Sequence, residues 1–393
     1  MPQHIQDPSG CIHCGFCTYY VSCPGRGVRC IGCGACVKGC PTGSRRARVV
    51  SSAAPTVPIR VDGRDGSAPA GASLAFGLRQ IGAGDGCADG CGTGGCWACA
   101  VLVDGEPVRA CCTEIRPGMD VVTQKETLEA HPPLRAVSFF PEHLHASLSV
   151  FTHGCNYGCD FCHNWDITFS STEAPVTPQE AAERTRKLTE RRGNRRTGIS
   201  GGEPTLNRRW LVEYVARLRH AGPQTRIQLD TNASLLTSDY LDELWRAGVT
   251  DISPDLKGLE LDTFQQITGV GDPSRARRYL DTSWRAVEEI ATAYADRLHV
   301  AVAIPYHPDL VTPDEVVRMG RRLAELRRGL DVNVIVYQPA FRRREARWVP
   351  PQEVKEALRE LGSLELRLWL QTGDDIPPPV APDELTLSTE EWS

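Results

Sequence analysis

Cysteine is absent from residues 163–393 of this 393-residue chain, although 17 cysteines lie before that point. Long hydrophobic runs are also missing. No stretch approaches the ~18–20 apolar residues of a membrane-spanning helix, so we expect no integral membrane protein and no membrane partner. The first residues, MPQHIQDPSG, lack the basic start and the apolar run of a secretory signal peptide. The sequence therefore predicts a cytoplasmic protein.

An excess of basic residues is missing as well. The 44 Lys and Arg residues are outnumbered by 49 Asp and Glu, which gives a net charge of −5. This balance argues against nucleic acid as the main partner. Disulfide scaffolds are small and secreted, whereas this chain is long and has no secretory start. The cysteines therefore indicate metal binding or redox chemistry.

The first eight cysteines form two similar runs. Cys30, Cys33, Cys36 and Cys40, followed by Pro41, have the C-x2-C-x2-C-x3-C-P spacing of bacterial ferredoxins. Cys11, Cys14, Cys17 and Cys23, followed by Pro24, form a second copy with two extra residues before the last cysteine. Zinc knuckles are the alternative, since CxxC pairs also bind zinc.

In such runs the fourth cysteine ligates the other cluster. The prediction is therefore two four-iron clusters, one held by Cys11, Cys14, Cys17 and Cys40 and the other by Cys23, Cys30, Cys33 and Cys36. Residues 8–45 resemble a 2[4Fe-4S] ferredoxin, with an unusually short connection between Cys23 and Cys30.

A second group of cysteines has the spacing of a two-iron site. Cys91, Cys96 and Cys99 have the C-x4-C-x2-C spacing of plant-type ferredoxins, which take a fourth cysteine further on. Cys111 and Cys112 are both candidates for that fourth ligand, and zinc is again the alternative. Residues 57–125 look like the [2Fe-2S] ferredoxin module of molybdenum hydroxylases. That resemblance assigns Cys111 as the fourth ligand and leaves Cys87 and Cys112 as spare thiols.

The third group contains only three cysteines. Cys155, Cys159 and Cys162 have C-x3-C-x2-C spacing, and no later cysteine can complete the set. A four-iron cluster held by three thiolates keeps one iron open to another ligand. The sequence therefore predicts a third four-iron cluster that binds and transforms something.

Strand-like and helix-like segments alternate after residue 145, which predicts a parallel sheet with crossover helices. Six such units favour a partial barrel over a closed one of eight. The predicted strands are Leu148–Thr152, Thr197–Ser200, Arg226–Asp230, Thr250–Leu256, Leu298–Ile304 and Val332–Tyr337. The predicted helices are Pro178–Glu190, Arg209–His220, Ser238–Arg246, Ser283–Arg297, Pro313–Arg328 and Gln352–Leu361.

Polar groups follow successive predicted strands, and they converge on the mouth where such folds place active sites. The motifs are SGGEP (Ser200, Gly201, Gly202, Glu203 and Pro204), DTN (Asp230 to Asn232), DLK (Asp255 to Lys257) and a segment that begins at Ile304. A turn at SGGEP and a strand-end ion pair between Asp255 and Lys257 are the structural alternatives.

Together with the three cysteines, these motifs resemble the radical S-adenosylmethionine (SAM) superfamily over residues 135–373. GCNYGCDFCHNWDIT, SGGEP, DTN and DLKG look most like enzymes related to pyruvate formate-lyase activase and the AmmeMemoRadiSam group. Those activases usually have Gly after DTN, whereas this chain has Ala233.

The resemblance implies that the open iron chelates the methionine portion of SAM. An electron then breaks the S–C5′ bond, and a 5′-deoxyadenosyl radical abstracts hydrogen from a substrate. It places Gly201, Gly202 and Glu203 at the methionine amino group and Phe161 near the adenine. It places Asn232, Asp255 and Lys257 on the SAM or substrate side, and it marks Ser200, Pro204, Asp230 and Ile304 as further candidates for cofactor binding.

The predicted fold is a multidomain α/β chain with a partial (β/α)6 radical SAM barrel. A small cluster-organised 2[4Fe-4S] ferredoxin domain and an α+β, β-grasp-like [2Fe-2S] domain precede the barrel. The predicted boundaries are 1–45 and 57–125 for the ferredoxin domains, 145–373 for the barrel, 46–56 and 126–144 for linkers, and 374–393 for an acidic tail.

Reductive cleavage of SAM needs a low-potential electron, and such clusters reach about −400 mV or below. Residues 1–125 are therefore predicted to carry electrons from an external low-potential donor to the catalytic cluster. The main hypothesis is an activase for a glycyl-radical partner protein. The alternative is a radical enzyme that modifies a small molecule or peptide, and an electron carrier with a vestigial SAM site is the third possibility.

Overall fold

The computed structural model describes residues 2–23, 30–49, 55–83, 89–141, 148–192 and 196–371. Cys87, Pro24 and the predicted acidic tail at 374–393 lie outside these ranges. Within the described ranges no helix has both the length and the apolar character needed to cross a membrane.

The first ferredoxin-like segment contains little regular structure. Strands β1 (Pro2–Gln6) and β2 (Arg45–Val49) pair antiparallel and bring its two ends together. Between them lie two single-turn helices, α1 (Phe16–Tyr19) and α2 (Ala35–Lys38). Each follows a glycine with left-handed φ, Gly15 at 75° and Gly34 at 84°. Glycine suits these positions because it has no Cβ to oppose positive φ.

The second segment contains a small five-stranded sheet. Helix α3 (Leu74–Gln80) packs Leu74 and Leu78 into a core with Ile59, Val101 and Val121. Helix α4 (Lys125–Glu129) follows the sheet. The strands are β3 (Thr56–Val61), β4 (Arg64–Pro69), β5 (Ala100–Val103), β6 (Glu106–Arg109) and β7 (Asp120–Val122). Their order across the sheet is β4-β3-β7-β5-β6.

The third segment is an open eight-stranded sheet with its strands in chain order. The first strand pairs antiparallel with the second, and all later pairings are parallel. The strands are β8 (Val137–Pro141), β9 (Leu148–Thr152), β10 (Arg196–Gly201), β11 (Arg226–Thr231), β12 (Asp251–Pro254), β13 (His299–Tyr306), β14 (Leu330–Val336) and β15 (Leu366–Gln371).

Helices cover the outer face of this sheet and supply much of the core. Trp210, Leu211 and Tyr214 of one helix and Leu241 and Leu244 of the next are fully buried. The helices are α5 (Trp165–Thr168), α6 (Pro178–Arg192), α7 (Arg208–Ala221), α8 (Ser238–Ala247), α9 (Leu261–Thr268), α10 (Pro273–Thr292), α11 (Pro313–Leu326) and α12 (Pro351–Ala357). The predicted fold class, a multidomain α/β chain with a partial barrel, is confirmed.

Several predicted boundaries differ from the structure. The helix expected at Ser283–Arg297 is α10, which begins ten residues earlier at Pro273, where Asp272 caps it by accepting a hydrogen bond from the Arg275 N–H. Helix α9 was not predicted. The segment 126–144, expected to be a linker, contains most of α4 and strand β8, which extends the large sheet. Strand β15 adds a seventh parallel strand beyond the six predicted.

Candidate active site

A cavity of about 500 Å³ lies at the carboxyl ends of the parallel strands. The three cysteines of the catalytic motif line it, and so does the loop that follows β10. The predicted site residues that line it are Cys155, Cys159, Phe161, Cys162, Ser200, Gly201, Gly202, Glu203, Asp230, Asn232, Asp255 and Lys257. The structure therefore brings most of the predicted site residues together.

Two predicted residues do not line this cavity. Ile304 is fully buried in β13, and its neighbour Ala303 lines the cavity instead. Successive side chains of a strand point to opposite faces, so Ile304 packs into the hydrophobic core. Pro204 begins the short turn after Glu203, and its carbonyl oxygen accepts a hydrogen bond from Arg135. The structure therefore does not bring Ile304 or Pro204 to the cavity, and their contact with a cofactor stays a prediction.

The three catalytic thiols lie in a low-dielectric environment. Burial raises the pKa of Cys155, Cys159 and Cys162 to about 12 each. The backbone N–H of Tyr157 donates to Cys155 Sγ at 3.3 Å, as cluster-binding loops do. Within the described residues no three His, Cys, Asp or Glu side chains converge as ligands of one metal ion do. A four-iron cluster would take the three buried thiols as ligands of three different irons.

The SGGEP loop approaches the catalytic loop very closely. A Cβ added to Gly202 would lie 2.2 Å from the carbonyl oxygen of Gly154, so only glycine fits there. Gly201 has a φ of 105°, which side-chain-bearing residues rarely adopt. These two glycines place backbone groups, rather than side chains, at the edge of the cavity beside Cys155. The turn predicted as the structural alternative is present, and it forms part of the site.

Glu203 connects the ends of β10 and β11. Its carboxylate accepts hydrogen bonds from Thr205 N and Oγ1, from Thr231 Oγ1 at 2.6 Å and from Asn232 N at 2.7 Å. Burial raises the pKa of this carboxyl group. Glu203 thus holds two strand ends in register, and its contact with a methionine amino group stays a prediction.

Asp255 and Lys257 form an ion pair and also line the cavity, so both sequence interpretations apply to them. The Lys257 ammonium also donates to the Tyr337 hydroxyl at 2.7 Å. Burial by itself lowers the pKa of Lys257, but the charge of Asp255 outweighs this effect and raises the pKa well above its usual value. Tyr337 in turn stacks on Phe161, with ring centroids 5.7 Å apart. Sequence reasoning did not select Tyr337, because β14, which ends just before it, leads into no recognisable motif.

Ala233 occupies the position where the similar activases have glycine. Its φ is 56°, in the left-handed region that favours glycine. The backbone therefore keeps the conformation that glycine would adopt, although the residue is different. Asn232, just before it, donates through Nδ2 to Asn156 Oδ1 at 3.0 Å and lies 3.8 Å from Cys155 Sγ.

The thiols of the first segment lie close to one another. Burial raises the pKa of Cys14, and the nearby charges of Cys40, Cys17 and Cys11 add to the increase. Burial likewise raises the pKa of Cys36 to about 11, and the charges of Cys30, Cys23 and Cys17 contribute. The neighbours of Cys36 thus come from both predicted ligand sets, and the division of these thiols between two clusters stays a prediction.

The two-iron loop surrounds its thiols with backbone donors. Thr93 N donates to Cys91 Sγ at 3.3 Å, and Cys91 N donates to Cys96 Sγ at 3.4 Å. Hydrogen bonding with the thiols of Cys112 and Cys99 raises the pKa of Cys111, which is also buried. Cys111 therefore lies within reach of Cys99, as a fourth ligand should. Cys112 lies 3.7 Å from Cys111, and its charge contributes to the raised pKa of Cys33.

Lys38 and Arg342 hold the three cysteine-rich segments together. Lys38 Nζ donates to the carbonyl oxygens of Cys91 at 2.9 Å and Cys155 at 3.0 Å. Arg342, which follows β14, donates to the carbonyl oxygen of Cys40 at 3.1 Å and pairs with Asp160. Sequence reasoning missed both residues, and only the position of Lys38 between two predicted ligands could have drawn attention to it.

An aromatic cluster fills the space between the first segment and the catalytic loop. Phe16 packs against Trp165 with centroids 5.0 Å apart, and Trp165 stacks on Phe341 at 5.2 Å. The partly buried thiols of Cys14, Cys23, Cys33 and Cys162 pack against this cluster. Cysteines of both predicted four-iron sites therefore share one hydrophobic cluster with a catalytic thiol.

Comparison with known families agrees with this arrangement. Residues 149–310 match the radical SAM superfamily, and residues 54–126 match the 2Fe-2S iron-sulfur cluster binding domain. The chain therefore carries a radical SAM domain and a two-iron ferredoxin domain. The radical SAM domain implies one four-iron cluster and SAM, which the buried thiols and the adjacent glycine loop fit. The prediction of three four-iron clusters stays a proposal.

Curated relatives share part of this chain. A probable GTP 3′,8-cyclase of Thermoplasma volcanium is 36% identical over 33% of this chain and 38% of its own length. A GTP 3′,8-cyclase of Rhizobium leguminosarum is 28% identical over 54% of this chain and 56% of its own length. The chain thus spans only 38% of the length of the first relative and 56% of the length of the second. Among solved structures, Streptococcus suis SuiB bound to S-adenosylmethionine is similar to this chain, with a TM-score of 0.43 and 12% sequence identity. The match covers 60% of this chain and 49% of the SuiB chain.

Proposed function

We propose that the chain is a radical SAM enzyme that modifies a small polar molecule or a peptide. The observation that carries the proposal is the shared cavity: Cys155, Cys159 and Cys162 line it together with the Gly201–Glu203 loop. Relatives named as cyclases of GTP, itself a small molecule, also support this choice over the glycyl-radical activase first expected.

The residues that line the cavity have different roles in this proposal. The three thiols would hold a four-iron cluster, which would supply the electron for reductive cleavage of the S–C5′ bond of SAM. The N–H groups of Gly202 and Glu203 donate to the carbonyl oxygens of Thr152 and Gly154, and this close approach holds the glycine loop at the edge of the cavity, where it binds the polar end of SAM in this proposal. The stacked pair Phe161 and Tyr337 offers an apolar surface for a flat base.

The charges of the cavity restrict the substrate. Its described lining includes the carboxyl groups of Glu203, Asp230 and Asp255, whereas its one Lys or Arg is Lys257, already paired with Asp255. His163 also lines the cavity, and burial lowers its pKa, which keeps the ring neutral. Phosphate groups are usually bound by Arg and Lys side chains. We therefore expect a neutral or cationic polar substrate rather than a nucleoside triphosphate.

The test is anaerobic reconstitution with iron and sulfide, followed by a strong chemical reductant and SAM. Formation of 5′-deoxyadenosine is the expected result. Cys159→Ser should abolish it, and Cys87→Ser should leave it unchanged because Cys87 has no predicted ligand role. Absence of 5′-deoxyadenosine from the fully loaded protein would contradict the proposal.

The substrate class is tested by adding candidates to the same assay. Deuterated amines, amino acids and peptides should transfer deuterium to 5′-deoxyadenosine if they occupy the cavity, whereas GTP should not. Transfer of deuterium only from the glycine of a partner protein would restore the activase hypothesis. Transfer from GTP would contradict the charge argument while leaving the radical SAM assignment intact.

A further inference from the structure

Arg135 is a fully buried arginine with no carboxylate bonded to it. Its side chain is 0% exposed. Its guanidinium donates to the carbonyl oxygens of Glu203 and Pro204, both at 2.6 Å, and of His153 at 3.3 Å. Its Nε has no partner. A buried cation that bonds only to neutral carbonyl oxygens is destabilising unless negative charge lies nearby.

The residues on either side of Arg135 run along the two-iron loop. Ala136 N donates to the carbonyl oxygen of Gly95 at 3.2 Å. Asn207 Nδ2 donates both to the carbonyl oxygen of Leu134 at 3.0 Å and to that of Cys96 at 3.1 Å. The backbone thus holds Arg135 against the segment that contains Cys96, while its guanidinium contacts His153 and the SGGEP loop.

The thiolates of this loop lie just beyond the backbone that Arg135 contacts: His153, whose carbonyl oxygen accepts from Arg135, packs against Gly95, and a Cβ added to Gly154 would lie 2.9 Å from Cys91 Sγ. Burial lowers the pKa of Arg135, and the charge of Cys96 is the largest influence that opposes the decrease, with Cys91 among the others. Glu203 also opposes it, but its carboxyl group is buried, has a raised pKa and is already bonded to three other residues. Thiolates that hold a cluster stay deprotonated, so they give the lasting negative charge that the guanidinium needs.

We infer that the buried guanidinium of Arg135 compensates the negative charge of the two-iron cluster. The same guanidinium holds the SAM-binding loop in place through its hydrogen bonds. This inference rests on the proposed function, because it assumes a two-iron cluster on one side and SAM on the other. Four thiolates outweigh the positive charge of two irons and two sulfides, and reduction adds one more electron. A fixed positive charge beside the cluster therefore favours its reduced form.

Two substitutions separate the two roles. Arg135→Gln removes the charge and keeps an N–H donor, whereas Arg135→Lys keeps the charge but places fewer donors in a different geometry. In the reconstituted protein, Arg135→Gln should make reduction of the two-iron cluster about tenfold less favourable, which is ~59 mV for a one-electron couple. Arg135→Lys should stay within about twofold of the unmodified protein. Both should weaken SAM binding about tenfold, because neither side chain spans three carbonyl oxygens.

Potentials are measured by an EPR-monitored redox titration, and SAM binding by equilibrium dialysis. The matched control is Arg209→Met. Arg209 also donates to two backbone carbonyl oxygens, those of Leu128 and Glu129, but on the surface. Its removal should change neither quantity. If the reduction potential of the two-iron cluster is equal in Arg135→Gln and the unmodified protein, Arg135 does not compensate the charge of the cluster. If SAM affinity is unchanged in both variants, Arg135 does not support the SAM-binding loop.

Loss of the cluster is informative as well. If Arg135→Gln fails to take up the two-iron cluster and Arg135→Lys takes it up, the charge is required and the inference holds. If neither takes it up, the charge is not what the cluster needs and the inference fails. If the unmodified protein itself shows no two-iron cluster, the assignment of that domain fails instead.

Discussion

At the scale of single residues, the cavity depends on polar side chains that bond to one another, although Asp255 Oδ1 has no hydrogen-bond partner among the described residues. Glu203 receives hydrogen bonds from three residues, and Lys257 contacts both Asp255 and Tyr337. Such groups are expensive to bury singly and acceptable in pairs. The walls of the cavity are therefore set by its own contacts, and removal of one partner leaves another group without compensation.

Lys257→Met tests this dependence. The side chain of Lys257 is 8% exposed and that of Asp255 is 31% exposed. Removing the ammonium leaves the carboxylate of Asp255 unpaired, so we expect a loss of about 1–3 kcal/mol in the free energy of unfolding, less than a fully buried pair would cost. Urea denaturation measures the change, and Asp255→Asn added to Lys257→Met should recover part of it. Lys187→Met, which breaks an exposed pair with Glu183, should cost less than ~1 kcal/mol.

The fourth ligand of the two-iron cluster is a second question at this scale. Cys111 lies within hydrogen-bonding reach of Cys99, whereas Cys112 lies toward Cys33 of the first segment. Cys111→Ser should therefore remove or strongly alter the visible circular dichroism and EPR spectrum of the two-iron cluster. Cys112→Ser should keep both spectra. The reverse pattern would assign Cys112 as the ligand and contradict the resemblance to the molybdenum hydroxylase module.

At the scale of elements, the site is built by loops that leave the carboxyl ends of neighbouring parallel strands. Strand β9 leads into the cysteine motif, β10 into the glycine loop, β11 into DTN and β12 into DLK. A parallel sheet brings all these ends to one edge. Hydrophobic runs and polar motifs therefore predict both the fold class and the meeting of these loops from the sequence alone.

Some elements are less visible in the sequence. Strand β8 is short, and its neighbours resemble a loop, so its place in the sheet depends on pairing with β9. Helix α10 begins at Pro273, and its first turns, SRARRY, are so polar that the apolar period appears only further along. Arg135 and Arg342 could not be selected because no motif in the sequence indicates how the ferredoxin-like segments pack against the barrel. Their roles follow from tertiary contacts.

Gly201→Ala tests the loop after β10. Gly201 has positive φ, and a Cβ there would lie 2.5 Å from Thr152 N, a backbone atom that cannot move aside. We expect a loss of more than ~2 kcal/mol of stability, above the ~1–2 kcal/mol of left-handed strain alone, together with at least tenfold weaker SAM binding. The control is Gly329→Ala, where φ is also positive but nothing lies within 4 Å of the added Cβ. Equal effects of the two substitutions, measured by urea denaturation and SAM dialysis, would show that contact with Thr152 is unimportant.

At the scale of the whole molecule, the cysteine-rich segments meet at the catalytic loop. Lys38 contacts the backbone of both the two-iron loop and the catalytic loop, and the aromatic cluster around Phe16 and Trp165 joins the first segment to Cys162. Ser73 N, which donates to the carbonyl oxygen of Ile31 at 2.8 Å, adds a contact between the two-iron domain and the first segment. This packing brings the predicted ligands of the front sites close to the catalytic loop, as the proposed internal electron path requires.

The path is tested by removing front ligands and comparing two electron sources. Cys33→Ser and Cys99→Ser each remove a predicted cluster ligand outside the catalytic motif. With a reduced ferredoxin-type protein as donor, formation of 5′-deoxyadenosine should fall at least tenfold, because electrons must enter through residues 1–125. With a strong chemical reductant that reaches the catalytic cluster directly, the rate should stay within about twofold, and Cys87→Ser should be normal with both. Equal losses with both reductants would mean that the front clusters serve the fold of the catalytic domain rather than its supply of electrons.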